Sequence, residues 1–165
     1  MSQSPRLAVV AGSFDPPTLG HVDLVERAVR LFDRVVVAVL HNRAKQPLFS
    51  VEERVALLRD LTASLPTVEV DQFDGLLADY VARRGAVAVV RGARTAGEFS
   101  DEWSIALANR HLNPAFDTVF VVPSAATMHV SSRVVREIAS FGGSVDGLVA
   151  PPVAAALAKK SPRRS

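Results

Sequence analysis

The chain contains no cysteine, which excludes disulfides and thiolate metal sites and is compatible with a reducing compartment. No apolar run approaches the roughly 18 residues that a membrane span needs. No signal peptide is visible either, because M-S-Q-S-P-R leads straight into an apolar strand pattern; the expectation is a soluble, cytoplasmic protein with no membrane partner. Several signatures are missing as well. Without G-x-x-x-x-G-K-[ST] a P-loop NTPase is excluded, and without G-x-G-x-x-G after the first strand the dinucleotide fingerprint is lost. The absence of G-x-S-x-G disfavours an α/β-hydrolase. The four histidines are dispersed and never form H-E-x-x-H, so no zinc site is predicted.

A large net charge is lacking too. Lys159, Lys160, Arg163 and Arg164 all fall in the last seven residues, and setting them aside takes the net charge from +2 to −2. The folded body therefore lacks the diffuse basic field of a nucleic-acid binder, and no nucleic-acid partner is expected. The run K-K-S-P-R-R-S reads as a solvated end, with a single domain over 1–160 and a disordered basic tail over 161–165.

What is present is a regular alternation. Leu7–Ala11 is a short apolar strand followed by Gly12, whose freedom permits a tight turn, and Gly20 and His21 start an amphipathic helix reaching Phe32. Arg34–Leu40 is a second strand; Ser50 and Glu53 form a capping box for a helix to about Thr62. Val68–Phe73 is a third strand, with Asp74 as candidate cap of a helix through Arg84. Ala86–Val90 is a fourth strand, Ala96–Leu112 a longer helix, and Thr118–Val122 a fifth strand. Ser131 and Ser132 open a helix to about Phe141, and Pro151 and Pro152 begin a last, Ala-rich one. The pattern predicts an α/β fold: a Rossmann-like, doubly wound, five-stranded parallel sheet in one domain with a C-terminal helix.

In such a sheet the ligand crevice lies beyond the carboxyl ends of the strands. Loops 12–21, 42–46, 74–77, 91–94 and 124–133 all fall there, bringing together His21, Lys45, Arg91, Arg94 and Arg133 with the hydroxyls of Ser13, Thr18, Ser131 and Ser132. Two helix starts facing several cations suit a polyphosphate.

The segment G-S-F-D-P-P-T-L-G-H resembles the signature of the nucleotidylyltransferase superfamily, in the T-x-G-H form typical of its bacterial phosphopantetheine adenylyltransferases. N-R-A-K-Q-P-L-F, R-G-A-R, N-R-H-L and V-S-S-R-V-V-R-E follow in the family's order. The resemblance implies transfer of AMP from ATP to 4′-phosphopantetheine, giving dephospho-coenzyme A and pyrophosphate, with Mg²⁺ arriving on the nucleotide and no metal held by the protein. It implies His21 as transition-state stabiliser with Lys45 and Arg94 as catalytic cations. Ser13, Lys45, Leu77 and Arg91 would hold the acceptor. Ser13, Phe14, His21, Gly92, Ala93, Arg94, Glu102 and the run Thr127, Met128, His129, Val130, Ser131, Ser132 and Arg133 would surround ATP. A homohexamer of two stacked trimers is the expected assembly.

Four positions depart from the family pattern: Asp101 in place of Tyr, Thr127 where an aromatic residue often sits, Arg133 where Ser or Thr is usual, and Gly75 where Asp is common. The alternative is a relative acting on another phosphate, nicotinate mononucleotide or glycerol phosphate. Thr18 argues against it, and Arg136, matching the arginine of I-S-S-T-x-[IV]-R, argues for it.

Overall fold

The computed structural model describes residues 5–41 and 46–160. Five strands form one sheet: β1 (Leu7–Gly12), β2 (Arg34–Leu40), β3 (Val68–Phe73), β4 (Ala88–Gly92) and β5 (Asp117–Val121). Their order is β3-β2-β1-β4-β5 and every pairing is parallel. The chain runs outward from β1 to β3, then returns to the other side of β1 with β4. The topological switch point, where a crevice must open, therefore lies between the carboxyl ends of β1 and β4.

Side-chain alternation explains the layering. Ala8 and Val10 of β1 face the same side as Val35, Val37 and Val39 of β2, and pack on α1 (Leu19–Leu31) and α2 (Val51–Thr62) through Val25, Ala28, Val55 and Leu58. Leu7, Val9 and Ala11, with Val36 and Ala38, face the opposite side and pack on α3 (Leu77–Arg84) through Ala78 and Val81. A strand buried on both faces can be apolar at every position, which is why β1 and β2 read as continuous runs. A third cluster joins Phe49 to α5 (Ser132–Ser140) and α6 (Pro151–Lys160) through Val135, Val153 and Leu157.

The helix α4 (Ala96–Leu112) is different. Asn109 is its one buried residue, while Phe99, Trp103, Ile105, Leu107 and Leu112 are exposed. Among the described residues no helix is long and apolar enough to cross a membrane.

Several local expectations are corrected. Asp74 does not cap α3: it lies two residues before the N-cap, Leu76, and its carboxylate instead accepts the Gly75 N–H at 2.9 Å. The fourth strand begins at Ala88 rather than Ala86, because the Ala86 N–H is spent on the Val81 carbonyl, closing α3 behind the left-handed Gly85. The positive φ in the first turn, +49°, belongs to Phe14 and not to Gly12. Gly12 is required for a different reason: the Phe14 ring folds over it, and a Cβ there would lie 3.2 Å from Phe14 Cζ. Lys159 and Lys160 are not part of a solvated tail but end α6, where Lys160 Nζ pairs with Glu53 at 2.9 Å. Residues 161–165 lie outside the described residues.

Candidate active site

The turn after β1 delivers the chemistry. Thr18 is the N-cap of α1 and His21 its N3 residue, and the two form a reciprocal capping box in which an imidazole replaces the usual carboxylate. The Thr18 N–H donates to His21 Nδ1 at 3.0 Å, and the Thr18 hydroxyl lies 3.1 Å from the same nitrogen. An Nδ1 that accepts a backbone N–H cannot carry the proton, so the neutral ring is the Nε2–H tautomer. Burial, together with the nearby charges of Arg94 and Arg91, lowers the His21 pKa to about 4. Near neutral pH the side chain is an uncharged donor with a fixed direction. The edge of the Phe14 ring packs against it, centroids 4.9 Å apart.

Asp15, 6 % exposed, is the anchor of this corner. Its two oxygens accept the backbone N–H groups of Leu48 and Phe49 at 2.8 and 2.9 Å, and Arg136 of α5 donates at 3.0 Å. The Ser132 hydroxyl donates to the Pro16 carbonyl at 2.8 Å, so α5 is tied twice to the same turn. Buried Arg54 donates to the Ser13 carbonyl at 2.6 Å. The post-β5 loop comes close to Gly20, where a Cβ would make ordinary contact with the Val130 carbonyl oxygen at 3.4 Å.

The two arginines after β4 are held, not loose. Arg91 makes a bidentate pair with Glu102 at 2.6 Å and donates to the Ala11 carbonyl at 2.6 Å. Arg94 pairs with Glu98 through Nε at 3.0 Å and Nη2 at 2.6 Å, and donates to the Val130 carbonyl at 2.6 Å. The carboxylates of α4 thus fix two guanidinium planes beside His21.

Two clefts meet at His21 and Ser132. The first, about 320 Å³, is walled by Gly20, Gly92, Arg94, Val130, Ser131 and Arg133 among others, with Ser131 capping α5. The second, about 470 Å³, is lined by Ser13, Phe14, Asp15, Gln46, Arg54 and Arg136. Of the residues expected around a nucleotide, Thr127 also lines the first cleft, whereas Ser13 and Phe14 line the second. Ala93, Glu102, Met128 and His129 line neither cleft; Met128 is 49 % exposed and Glu102 is turned to Arg91. Leu77 likewise lines neither and packs on the α3 side of the sheet. Lys45 lies outside the described residues.

Sequence reasoning passed over Asp15, Asp23, Arg27, Arg54 and Arg136 as wall residues. Asp23 and Arg27 carried a readable signal, an i,i+4 pair on α1 whose atoms come within 3.1 Å.

A family model described as cytidylyltransferase-like matches residues 9–138. The chain is 53 % identical to a phosphopantetheine adenylyltransferase from Thiobacillus denitrificans, over 93 % of this chain and 96 % of that one. It is 46 % identical to a phosphopantetheine adenylyltransferase from Caldanaerobacter subterraneus subsp. tengcongensis, covering 94 % and 97 %. Among solved structures, a bifunctional NMN adenylyltransferase/ADP ribose pyrophosphatase from Francisella tularensis superposes with a TM-score of 0.70 at 17 % identity, over 94 % of this chain and 49 % of that one. A lipopolysaccharide core biosynthesis protein from Thermoplasma volcanium gives 0.53 at 22 % identity, over 73 % and 98 %. These two likenesses concern the fold.

The imidazole is directly testable by nitrogen-15 NMR. His21 should show the Nε2–H tautomer at pH 7.5 and stay neutral down to about pH 5, titrating near 4. Because the folded value lies below the usual 6.5, the unfolded chain binds the proton first, and His21 subtracts stability as pH falls from 6.5 towards 4. Titration near 6.5, or a proton on Nδ1, would show that the cap does not control the ring.

Proposed function

Since the chain belongs to the cytidylyltransferase-like family, as one of its phosphopantetheine adenylyltransferases, we propose that it transfers the adenylyl group of ATP to 4′-phosphopantetheine, giving dephospho-coenzyme A and pyrophosphate. The observation that carries this reading is the placement of a neutral, direction-fixed imidazole where two clefts meet. The acceptor phosphate is already ionised, so no general base is needed. Its oxygen bonds to the α-phosphorus of ATP in line with the bond to the β-phosphate oxygen, which breaks and releases pyrophosphate.

What remains for the protein is alignment and charge. His21 Nε2–H donates to a non-bridging oxygen of the α-phosphate as negative charge builds there. The capped start of α5 and Arg94 take the triphosphate and Ser13 of the second cleft holds the acceptor, while Lys45, outside the described residues, and Leu77 and Arg91, which line neither cleft, are assigned to the acceptor by the family pattern. Arg91 and Arg94 already face carboxylate oxygens, and a phosphate dianion replaces one bidentate partner by another of the same geometry. The family pattern assigns Mg²⁺ to the nucleotide's own phosphates, where it would neutralise part of the triphosphate charge. The lack of cysteine fits work in the cytoplasm.

The exposed apolar face of α4 supports a homo-oligomer, with the hexamer implied by the family pattern as the expected state. Phe99 tilts against Phe120 and Trp103 stacks on it, centroids 4.9 and 6.5 Å away, and Trp103 stays 51 % exposed. Such a patch suits burial against another copy. Sedimentation velocity should give six times the monomer mass, falling for Trp103→Glu; a wild-type monomer would remove this assignment.

The activity is tested by incubating the protein with ATP, Mg²⁺ and 4′-phosphopantetheine, nicotinate mononucleotide or glycerol phosphate and measuring pyrophosphate. Turnover is expected with 4′-phosphopantetheine, and turnover only with another acceptor would overturn the reading. His21→Ala should lose about 100-fold or more in kcat, the effect of removing one preorganised donor, with ATP affinity little changed.

A further inference from the structure

One side chain ties the turn after β5 to the first helix. Asp23 of α1 accepts the Ser124 backbone N–H at 2.9 Å and the Thr127 hydroxyl at 3.3 Å, while Arg27 Nε donates to its two oxygens at 3.2 and 3.1 Å. Ser124 and Thr127 share a hydroxyl–hydroxyl hydrogen bond of 2.8 Å. The carboxylate spans 101 positions of sequence to reach Ser124. Hydrogen bonding by Ser124 and pairing with Arg27 hold its pKa below the ordinary value although burial opposes them, so it is charged at neutral pH.

This cluster opens into the first cleft, whose walls include Asp23, Arg27 and Thr127. The cleft is electrostatically divided. His21, Arg94 and the start of α5 offer donors to anions, whereas the Asp23–Arg27 pair carries no net charge, so a nucleotide would lie with its phosphates at the first group and its uncharged nucleoside part against the second. Among the described residues no Phe, Tyr or Trp lines the cleft; Leu24, Val121 and Pro123 supply its apolar contact. A base held there is selected without an aromatic stack.

We propose that Asp23 is a positioning residue that holds the Ser124–Thr127 turn and Arg27 as a polar wall recognising the nucleoside part of ATP, so that nucleotide selection runs through hydrogen bonds organised by one carboxylate. This rests on the reading of the first cleft as the nucleotide site. The wall acts on ground-state binding and not on the reacting phosphorus, so its loss affects nucleotide affinity and leaves the chemical step in place.

The test is calorimetric binding of the non-hydrolysable analogue α,β-methylene-ATP and of CTP to the full chain, alongside steady-state kinetics. Asp23→Asn keeps the shape but removes the charge that orients Arg27. Its dissociation constant for the analogue should rise about 10-fold, its preference over CTP should shrink, and kcat at saturating ATP and acceptor KM should stay within about 3-fold, the pattern of lost uniform binding. Thr127→Val should weaken the analogue about 5-fold, as loss of one hydrogen bond does, and Thr127→Ser should restore it. Unchanged analogue affinity in Asp23→Asn, or a fall in kcat without a fall in affinity, would overturn the proposal. Should Asp23→Asn fail to fold, the Thr127 pair decides: wild-type affinity in Thr127→Val sinks it. The binding arm needs no acceptor, so missing pyrophosphate release with 4′-phosphopantetheine counts against the assigned reaction alone, whereas absent nucleotide binding by the wild type ends both.

Discussion

The hydrogen bond from the Thr18 N–H to His21 Nδ1, 3.0 Å long, is the constraint on which the site depends. It closes the first turn of α1 and in the same act decides which ring nitrogen carries the proton. A helix start has spare N–H groups and a positive dipole end, both of which discourage a second positive charge on the ring. Burial and the neighbouring Arg94 and Arg91 act in the same direction. The outcome is a donor without charge, set among groups that are charged, whose direction is fixed without reorganisation.

The arginines follow a complementary logic. Arg91 and Arg94 each sit within a partly buried ion pair to α4 and also donate to a carbonyl of the sheet-end loops. A buried or half-buried guanidinium without partners would be costly, and a floppy one would lose entropy on binding. The carboxylates of α4 solve both problems before ligand arrives. They also make that helix part of the site's electrostatics although Phe99, Trp103 and Leu107 on it are exposed.

Much of this was legible in the chain. The bounds of β2 follow from an apolar run with clear breaks and those of β3 from apolar residues spaced among polar ones, and the Ser50–Glu53 capping box marks α2 because its signal is local. Local chemistry misled where two neighbours competed for one role, as when Asp74 closed the Gly75 turn and left the α3 cap to Leu76. The G-S-F-D-P-P-T-L-G-H segment announced His21 but not how it is held, since a histidine in a capping box departs from the usual glutamate. Least visible were the partners reached through the fold: Asp15 to Phe49 across 34 positions, Arg91 to the Ala11 carbonyl across 80, and Asp23 to Ser124 across 101. No periodicity encodes such pairs; only the parallel sheet, by stacking its strand ends, brings them together.

The most direct measurement is a crystal structure of the chain with a slowly reacting ATP analogue and Mg²⁺. With the ring held as described, an α-phosphate oxygen will lie within about 3 Å of His21 Nε2, the β- and γ-phosphates will face the start of α5, and the Thr18–His21 bond will persist. A nucleotide whose α-phosphorus sits away from Nε2, or an imidazole released from Thr18 and turned into the core, would contradict the central claim.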